Sequence, residues 1–356
     1  MQEQTIDKQQ EDARRDAEIP EHSADIRMGR ELLQATAPFA VESVAMSWWH
    51  VGSTFCLMVA AAVAAGMVPW WPLRLALSVL GGLAMVRGFI TYHDFMHGAI
   101  LRHSRLARVL FEAYGAFALT PPQSWKKSHN FHHGHVGQIE GSRVGSFPVM
   151  TTQMWREATP TLRARYRIER HPLTVLLAYV TIFTFSITLL PLLTSPLKHW
   201  DSAVALIAHF GLLALLWSFG GFDVAFYALM LPMSIASALG GYLFFAQHSF
   251  KHMVILPPET WTYYRAALES SSFMKLNKVM QWFTGNIGFH HVHHLNVRIP
   301  FYRLPDAMAA IPELQSPATT SLNPREIVGC FRSSLWDEGL QRMVSYREAE
   351  GLAAQT

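Results

Sequence analysis

The chain is short of charge. Only 15% of its 356 residues are Asp, Glu, Lys or Arg while 50% are hydrophobic, which is too apolar for an ordinary water-exposed domain. It reads as a membrane protein. It is also short of cysteine: Cys56 lies within an apolar run, Cys330 lies near the C-terminus, and there is no CxxC, which excludes a disulfide framework and a thiolate metal site. The formal charge of +3 is small and no basic block is interleaved with aromatics, so nucleic acid is not expected as a partner. Residues 1–45 are polar, mixed in charge, and without the basic and short apolar regions of a cleaved signal peptide. The N-terminus is expected to stay in the cytoplasm. No internal repeat or low-complexity segment is present.

What the chain has is histidine, and it has it in clusters. The stretch GNIGFHHVHHLNVRIPFYRLP, from Gly285 to Pro305, carries His290, His291, His293 and His294 within five positions. If Gly288 to Leu295 is helical, each residue turns by about 100°, so His290, His293 and His294 share a face and His291 points aside. The same spacing recurs at His129, His132 and His133 (SHNFHHGH), and His93 and His97 (YHDFMHG) stand one helical turn apart. Eight such imidazoles exceed what one ion can use, since zinc takes four ligands and octahedral iron six. The simplest arithmetic is two metals, and imidazole alone does not choose between iron, copper and zinc. His22, His50, His103, His135, His171, His199 and His209 lie outside the pattern and read as ordinary structural histidines.

The apolar runs set the topology. Val51 to Val68 is bracketed by Trp48 and Trp49 and by Trp70 and Trp71, the arrangement favoured at the two interfaces of a spanning helix. After a turn at Pro69 and Pro72, Leu73 to Tyr92 returns and delivers His93 and His97 on the N-terminal side. Lys8, Arg14, Arg15, Arg27 and Arg30 make that side cytoplasmic by the positive-inside rule. Ser104 to Phe117 carries an apolar stripe of Leu106, Val109, Leu110, Ala113, Tyr114 and Phe117, and reads as a helix lying in the interface. Leu276, Val279, Met280 and Phe283 form a second such stripe. Between them stand three apolar runs, Pro172 to Leu193, Asp201 to Trp217 and Phe222 to Ala246. If the three histidine clusters are to meet, one of these runs must fail to cross, and Gly220, Gly221 and Pro232 point to the last two. From Asp306 the chain is soluble in character and reads as a polar, helix-like tail.

HxxxH, HxxHH and HxxHH, in this order and distribution, resemble the membrane fatty-acid desaturases. FFAQHSF (Phe244 to Phe250), SSFMKLNKVMQWFTGNIGFHHVHHL and RIPFYRL further resemble the bacterial acyl-lipid branch, so the similarity covers about Tyr92 to Leu304. That resemblance implies an all-α polytopic membrane protein of four to six apolar helices, with interfacial amphipathic helices and a cytoplasmic cap. It implies two iron ions held by His93, His97, His129, His132, His133, His290, His293 and His294. The further histidine that the family supplies ahead of its third box falls on His248, with His252 one turn on in competition. Asp94, Asn130, Gln247 and Asn286 are expected to orient ligand rings from behind, with Asn286 alternatively a helix cap. Met96 departs from the glycine that often precedes the second histidine of the first box.

The activity implied is insertion of a cis double bond into the acyl chain of a membrane lipid or thioester, with molecular oxygen as co-substrate. Two electrons would come from a separate ferredoxin or cytochrome b5 type donor, since no HPGG haem segment is fused to the chain. Lys126, Lys127, Lys275, Lys278, Arg298 and Arg303 are available for an anionic headgroup or an acidic donor. The expected organisation is a polar cytoplasmic segment (1–45), a membrane desaturase domain (46–305) and a cytoplasmic tail (306–356), in a bacterial inner membrane with both termini cytoplasmic. Two other readings stay open. A carotenoid hydroxylase or ketolase shares histidine boxes and an apolar substrate, and a haem- or metal-handling membrane protein is the non-enzymatic alternative.

Overall fold

A computed structural model describes residues 27–353; the cationic Lys8, Arg14 and Arg15, and His22, lie outside the described residues. The chain is built from helices, and the order begins with α1 (Gly29–Thr36), α2 (Val44–Met67) and α3 (Trp71–His97). The last two form an antiparallel hairpin, each apolar and long enough to cross a membrane. Its outer side is hydrophobic and exposed, with Val59, Val63 and Met67 bare, and Trp49, Trp70 and Trp71 stand at its two ends as interfacial anchors do. Helix α3 has 27 residues. At 1.5 Å each that is about 40 Å, against a hydrocarbon core of about 30 Å, so its final turns rise to the membrane boundary and carry His93 and His97 there. Gly98 then stops the helix in the left-handed conformation (φ 68°), and its N–H returns to the carbonyls of Asp94 and Phe95.

Helix α4 (Arg105–Phe117) is capped by the Ser104 hydroxyl, which accepts from the Ala107 N–H. Its apolar stripe does not all face the protein. Tyr114 turns inward beside Phe111, while Leu106 and Val109 are 68% and 65% exposed, which gives the helix an outward edge fit for lipid. Helix α5 (Pro122–His133) runs back toward the end of α3, and its start is held by the buried Asp201, whose carboxylate accepts from the Gln123 and Ser124 N–H groups. Prolines at positions 121 and 122 leave that end without a hydroxyl cap of its own. A carboxylate supplied from another helix fills the role.

The three later apolar runs resolve the parity differently from the expectation. Helix α6 (Trp200–Ala225) breaks at Gly221 (φ 78°, ψ 175°), and the chain turns back through Phe226–Met230 into α7 (Leu231–Gln247). Asp223 at this turn pairs with Arg74 at the start of α3, on the face opposite the histidines. Gly221 is therefore the hairpin turn between two crossings, not a defect within one. The incomplete run is Pro172 to Leu193. It begins beside Arg170, which donates to Ser249 and Ser333 near the histidine end of α7, and the Thr188 hydroxyl further along donates to the carbonyl of Leu119, between α4 and α5. Tyr179–Leu189 is wound as a π-helix, which shortens it, and three hydroxyls turn back on carbonyls five residues earlier: Thr184 to Tyr179, Ser186 to Thr181 and Thr188 to Phe183. The threonines and serine in that run are the signal for this.

Above the helices lies a cap. It holds α8 (Lys278–Phe283), α9 (His290–Leu295), and two small sheets: β1 (Met150–Thr151) parallel to β4 (Leu335–Asp337), itself antiparallel to β5 (Arg342–Val344), and β2 (Phe273–Lys275) parallel to β3 (Thr319–Ser321). Residues beyond 306 are thus woven into the cap through β3, β4 and β5, with α10 (Pro324–Arg332) and α11 (Tyr346–Ala353) between and after them. The Arg27 guanidinium pairs with Glu313 at 2.8 Å and ties the start of the described chain to the same cap. Tyr92, Phe111, Phe245 and Phe301 are buried where cap and membrane helices meet.

Candidate metal centre

Four histidine-bearing segments end at one place. His93 and His97 close α3, His129, His132 and His133 close α5, His248 follows α7, and α9 carries the rest. Helix C-termini present unpaired carbonyls and the negative end of the dipole, so the place suits cations. Nine imidazoles gather there in two groups, His93, His97, His129, His133 and His293 in one and His132, His248, His290 and His294 in the other, with the donor atoms of each group within 4.8 Å of one another.

Within the first group the Nε2 atoms of His93 and His97 are 3.3 Å apart, His97 and His129 3.1 Å, His129 and His133 3.1 Å, and His133 and His293 3.3 Å. In the second, His248 Nε2 stands 3.2 Å from His132, 2.8 Å from His290 and 3.2 Å from His294. Two nitrogens bonded to one ion at about 2.1 Å are about 3.0 Å apart at a right angle and about 3.4 Å at a tetrahedral one. Six of the seven spacings fall in that window, and the His248–His290 pair at 2.8 Å is slightly closer. One N–H···N bond would satisfy a single such pair, but four or five Nε2 atoms gathered this closely cannot all be paired that way, so the donor set fits a metal in each group.

Each HxxHH run is divided between the groups. His129 and His133 serve the first and His132 the second; His290 and His294 serve the second and His293 the first. Positions i and i+4 lie about 40° apart on a helix, while i+3 lies about 100° from i+4, so one short helix wedged between two centres supplies a pair to one and a single ring to the other. The shared face read from the sequence is real, but it is wide enough to address two ions. His291 points away, with its Nε2 3.0 Å from the Leu314 carbonyl, and His252 is exposed.

Burial keeps the rings neutral. His129, His132, His133, His290, His293 and His294 are held well below the ordinary imidazole value by burial first and by neighbouring histidines second. Burial pushes His248 down to about 4, partly opposed by its bond to the Ser270 carbonyl. That bond is Nδ1–H to oxygen at 3.0 Å, which leaves the His248 Nε2 lone pair aimed inward.

Of the four residues expected to orient rings from behind, Asp94 does so, with Oδ1 3.2 Å from His93 Nδ1. Its Oδ2 accepts from the Phe301 N–H at 2.6 Å, and the Phe301 carbonyl accepts from Asn286 Nδ2 at 3.1 Å. Asn286 thus clamps the RIPFY segment; it has φ 54° and does not cap α9, whose N-cap is Phe289. Gln247 is buried and donates to the Ile287 carbonyl, which ties α7 to the chain entering α9, and Asn130 sits on the exposed side of α5. Sequence reasoning missed Ser270, Asp201 and Trp125, which stacks on His129 at 4.4 Å. Trp125 is one turn ahead of His129 and so was legible; the other two are distant in sequence.

A small cleft of about 20 Å³, room for about one water, opens beside His132 and His248, with Val136, Phe147, Val149 and Met253 among its walls.

Residues 69–324 match the fatty acid desaturase family. The chain is also 30% identical over 280 residues to a protein of Bacillus subtilis (strain 168) named fatty acid desaturase, covering 77% of this chain and 78% of the relative. The chain belongs to the fatty acid desaturase family. Other similar proteins are a probable fatty acid desaturase of Sorghum bicolor (27% identical, 81% of this chain and 77% of the relative) and an sn-1 acyl-lipid omega-3 desaturase (ferredoxin) of Nostoc sp. (strain 36) (26% identical, 63% of each). An endoplasmic-reticulum acyl-lipid omega-3 desaturase (cytochrome b5) of Arabidopsis thaliana is 25% identical, over 83% of this chain and 79% of the relative. The desaturase is accordingly an oxidoreductase of the membrane, and its histidine groups are suited to metal binding.

Proposed function

We propose that the protein inserts a cis double bond into the acyl chain of a membrane lipid, using molecular oxygen and two electrons from a separate ferredoxin or cytochrome b5 type protein. The observation that carries this is the convergence of nine imidazole nitrogens as a group of five and a group of four, within a family that desaturates fatty acids. Both donor classes occur in the names of similar desaturases.

In this reading His93, His97, His129, His133 and His293 hold one iron, and His132, His248, His290 and His294 hold the other. Bound there, iron supplies oxygen activation and electron storage that no side chain can. The protein supplies order and dryness. Burial holds His129, His132, His133, His248, His290, His293 and His294 neutral, so none of these seven has a proton to expel when metal enters near pH 7. Asp94 and the Ser270 carbonyl fix two ring orientations. The acyl chain reaches the histidines from the lipid side while its headgroup stays wet. The boxes stand on the cytoplasmic face of a bacterial inner membrane, residues 46–305 form the desaturase unit, and residues 306–356 close its cap.

The test is expression in a host of known fatty-acid profile, iron-replete and with a competent donor, followed by gas chromatography of its lipids. A new unsaturated acyl species supports the reading. An unchanged profile, with oxygenated carotenoid appearing in a carotene-producing host, overturns it.

A further inference from the structure

Electrons from a separate protein must reach ions enclosed by nearly buried ligands, so the place where the enclosure is thinnest matters. Of the nine histidines, eight are buried and His97 alone is partly exposed. It ends α3, and the residues around it are cationic. The Arg298 guanidinium donates to the carbonyl of Gly98, the next residue, at 2.9 Å. Arg102 lies beside the same glycine, where a Cβ on Gly98 would stand 3.7 Å from Arg102 Cβ. Lys126 is exposed on α5, three residues before His129, and Arg102 and Arg298 are exposed as well. Among the described residues, Lys126, Arg102 and Arg298 form no ion pair.

We propose that the exposed cationic surface over His97, formed by Lys126, Arg298 and Arg102, is where an acidic one-electron carrier protein docks. This rests on the desaturase reading above. Charge complementarity argues for the occupant: a positive surface steers an acidic partner and brings its redox group to the one ligand of the nine that is not fully buried. A lipid phosphate is the poorer occupant, because a headgroup seated against a metal ligand would hold the first carbons of its chain, not a mid-chain methylene, at the ions. Each docking delivers one electron. Two dockings, two protons from water and one oxygen molecule balance the removal of two hydrogens from adjacent methylenes, giving one double bond and two waters.

The test uses the purified full-length enzyme, loaded with iron, with plant-type ferredoxin kept reduced by its reductase. Lys126→Glu and Arg102→Glu are compared with Lys275→Glu, an exposed lysine elsewhere on the cap. The first two should lower kcat/KM for ferredoxin about tenfold at low salt, with iron content and the KM for lipid unchanged, and Lys275→Glu should not. Ferredoxin binding to the enzyme, measured without turnover and weakened by added KCl, should show the same order. Unchanged ferredoxin dependence in both rim variants, a loss shared equally by Lys275→Glu, or a change in lipid KM in place of ferredoxin KM would each overturn the proposal. Wild-type enzyme that binds ferredoxin yet forms no double bond would instead sink the desaturase reading and leave the docking surface standing.

Discussion

His290 and His291 are adjacent, equally buried and on the same short helix, yet replacing them with alanine should produce opposite phenotypes. The His290 Nε2 is 2.8 Å from that of His248, inside the group of four. If a four-ligand metal site is worth about 10–16 kcal/mol, one ligand carries about 3 kcal/mol, so His290→Ala should weaken that ion by roughly 100-fold. The group of five does not include His290 and should keep its ion. His291 faces the Leu314 carbonyl at 3.0 Å. His291→Ala leaves that buried oxygen unpaired, a cost of about 1–3 kcal/mol in stability, with both metal groups intact. The assay is metal content per chain beside thermal aggregation in detergent, with membrane levels of each variant matched. His290→Ala should lose about half its iron and all its desaturation; His291→Ala should keep its iron and melt earlier. The reverse pattern would show that the phase of α9 is wrong by one residue.

Asp201→Ala should lower activity by loosening the start of α5, because the carboxylate that accepts from Gln123, Ser124 and the Ser124 hydroxyl is lost; iron content restored by Asp201→Asn but not by Asp201→Ala would mark a positioning role, and equal behaviour of the two would refute it. A pH effect is expected at the Arg27 tie. The guanidinium bond holds the Glu313 carboxyl down at about 2, below its ordinary value, so the folded state binds fewer protons there than the unfolded one. The tie is then fully present above about 4.5 and is lost as pH falls from there toward 2. Limited proteolysis between residues 27 and 44 should quicken over that window, and Arg27→Ala should abolish the dependence; a cut rate flat from pH 5 to 2.5 would contradict it.

The histidine boxes, the apolar runs and the interfacial helices were legible because each is a local pattern: a spacing of three or four residues, a run of apolar side chains, a stripe. The HxxHH phase was readable for the same reason, and it excluded His291. The division of each box between two centres was not readable, since it depends on where α5 and α9 lie relative to the end of α3. The short run from Pro172 to Leu193 escaped because its hydroxyls act through backbone winding, while Gly221 drew attention as an irregularity when it makes a turn. Asn130 and Gln247 were singled out for being next to ligands in sequence, yet on a helix adjacent residues face different ways. Ser270 and Asp201 act across large separations in the chain. The small strands of residues 306–356 have two or three residues each, too few for an alternating pattern to show.

Iron per chain, counted on protein purified from iron-replete cells, bears most directly on the two-group arrangement. Nine converging imidazoles divided five and four predict two irons per chain, falling to about one when His248 is replaced by alanine and staying at two when His252 is. A single haem, one zinc with no iron, or a His248→Ala variant that still holds two irons would contradict the account.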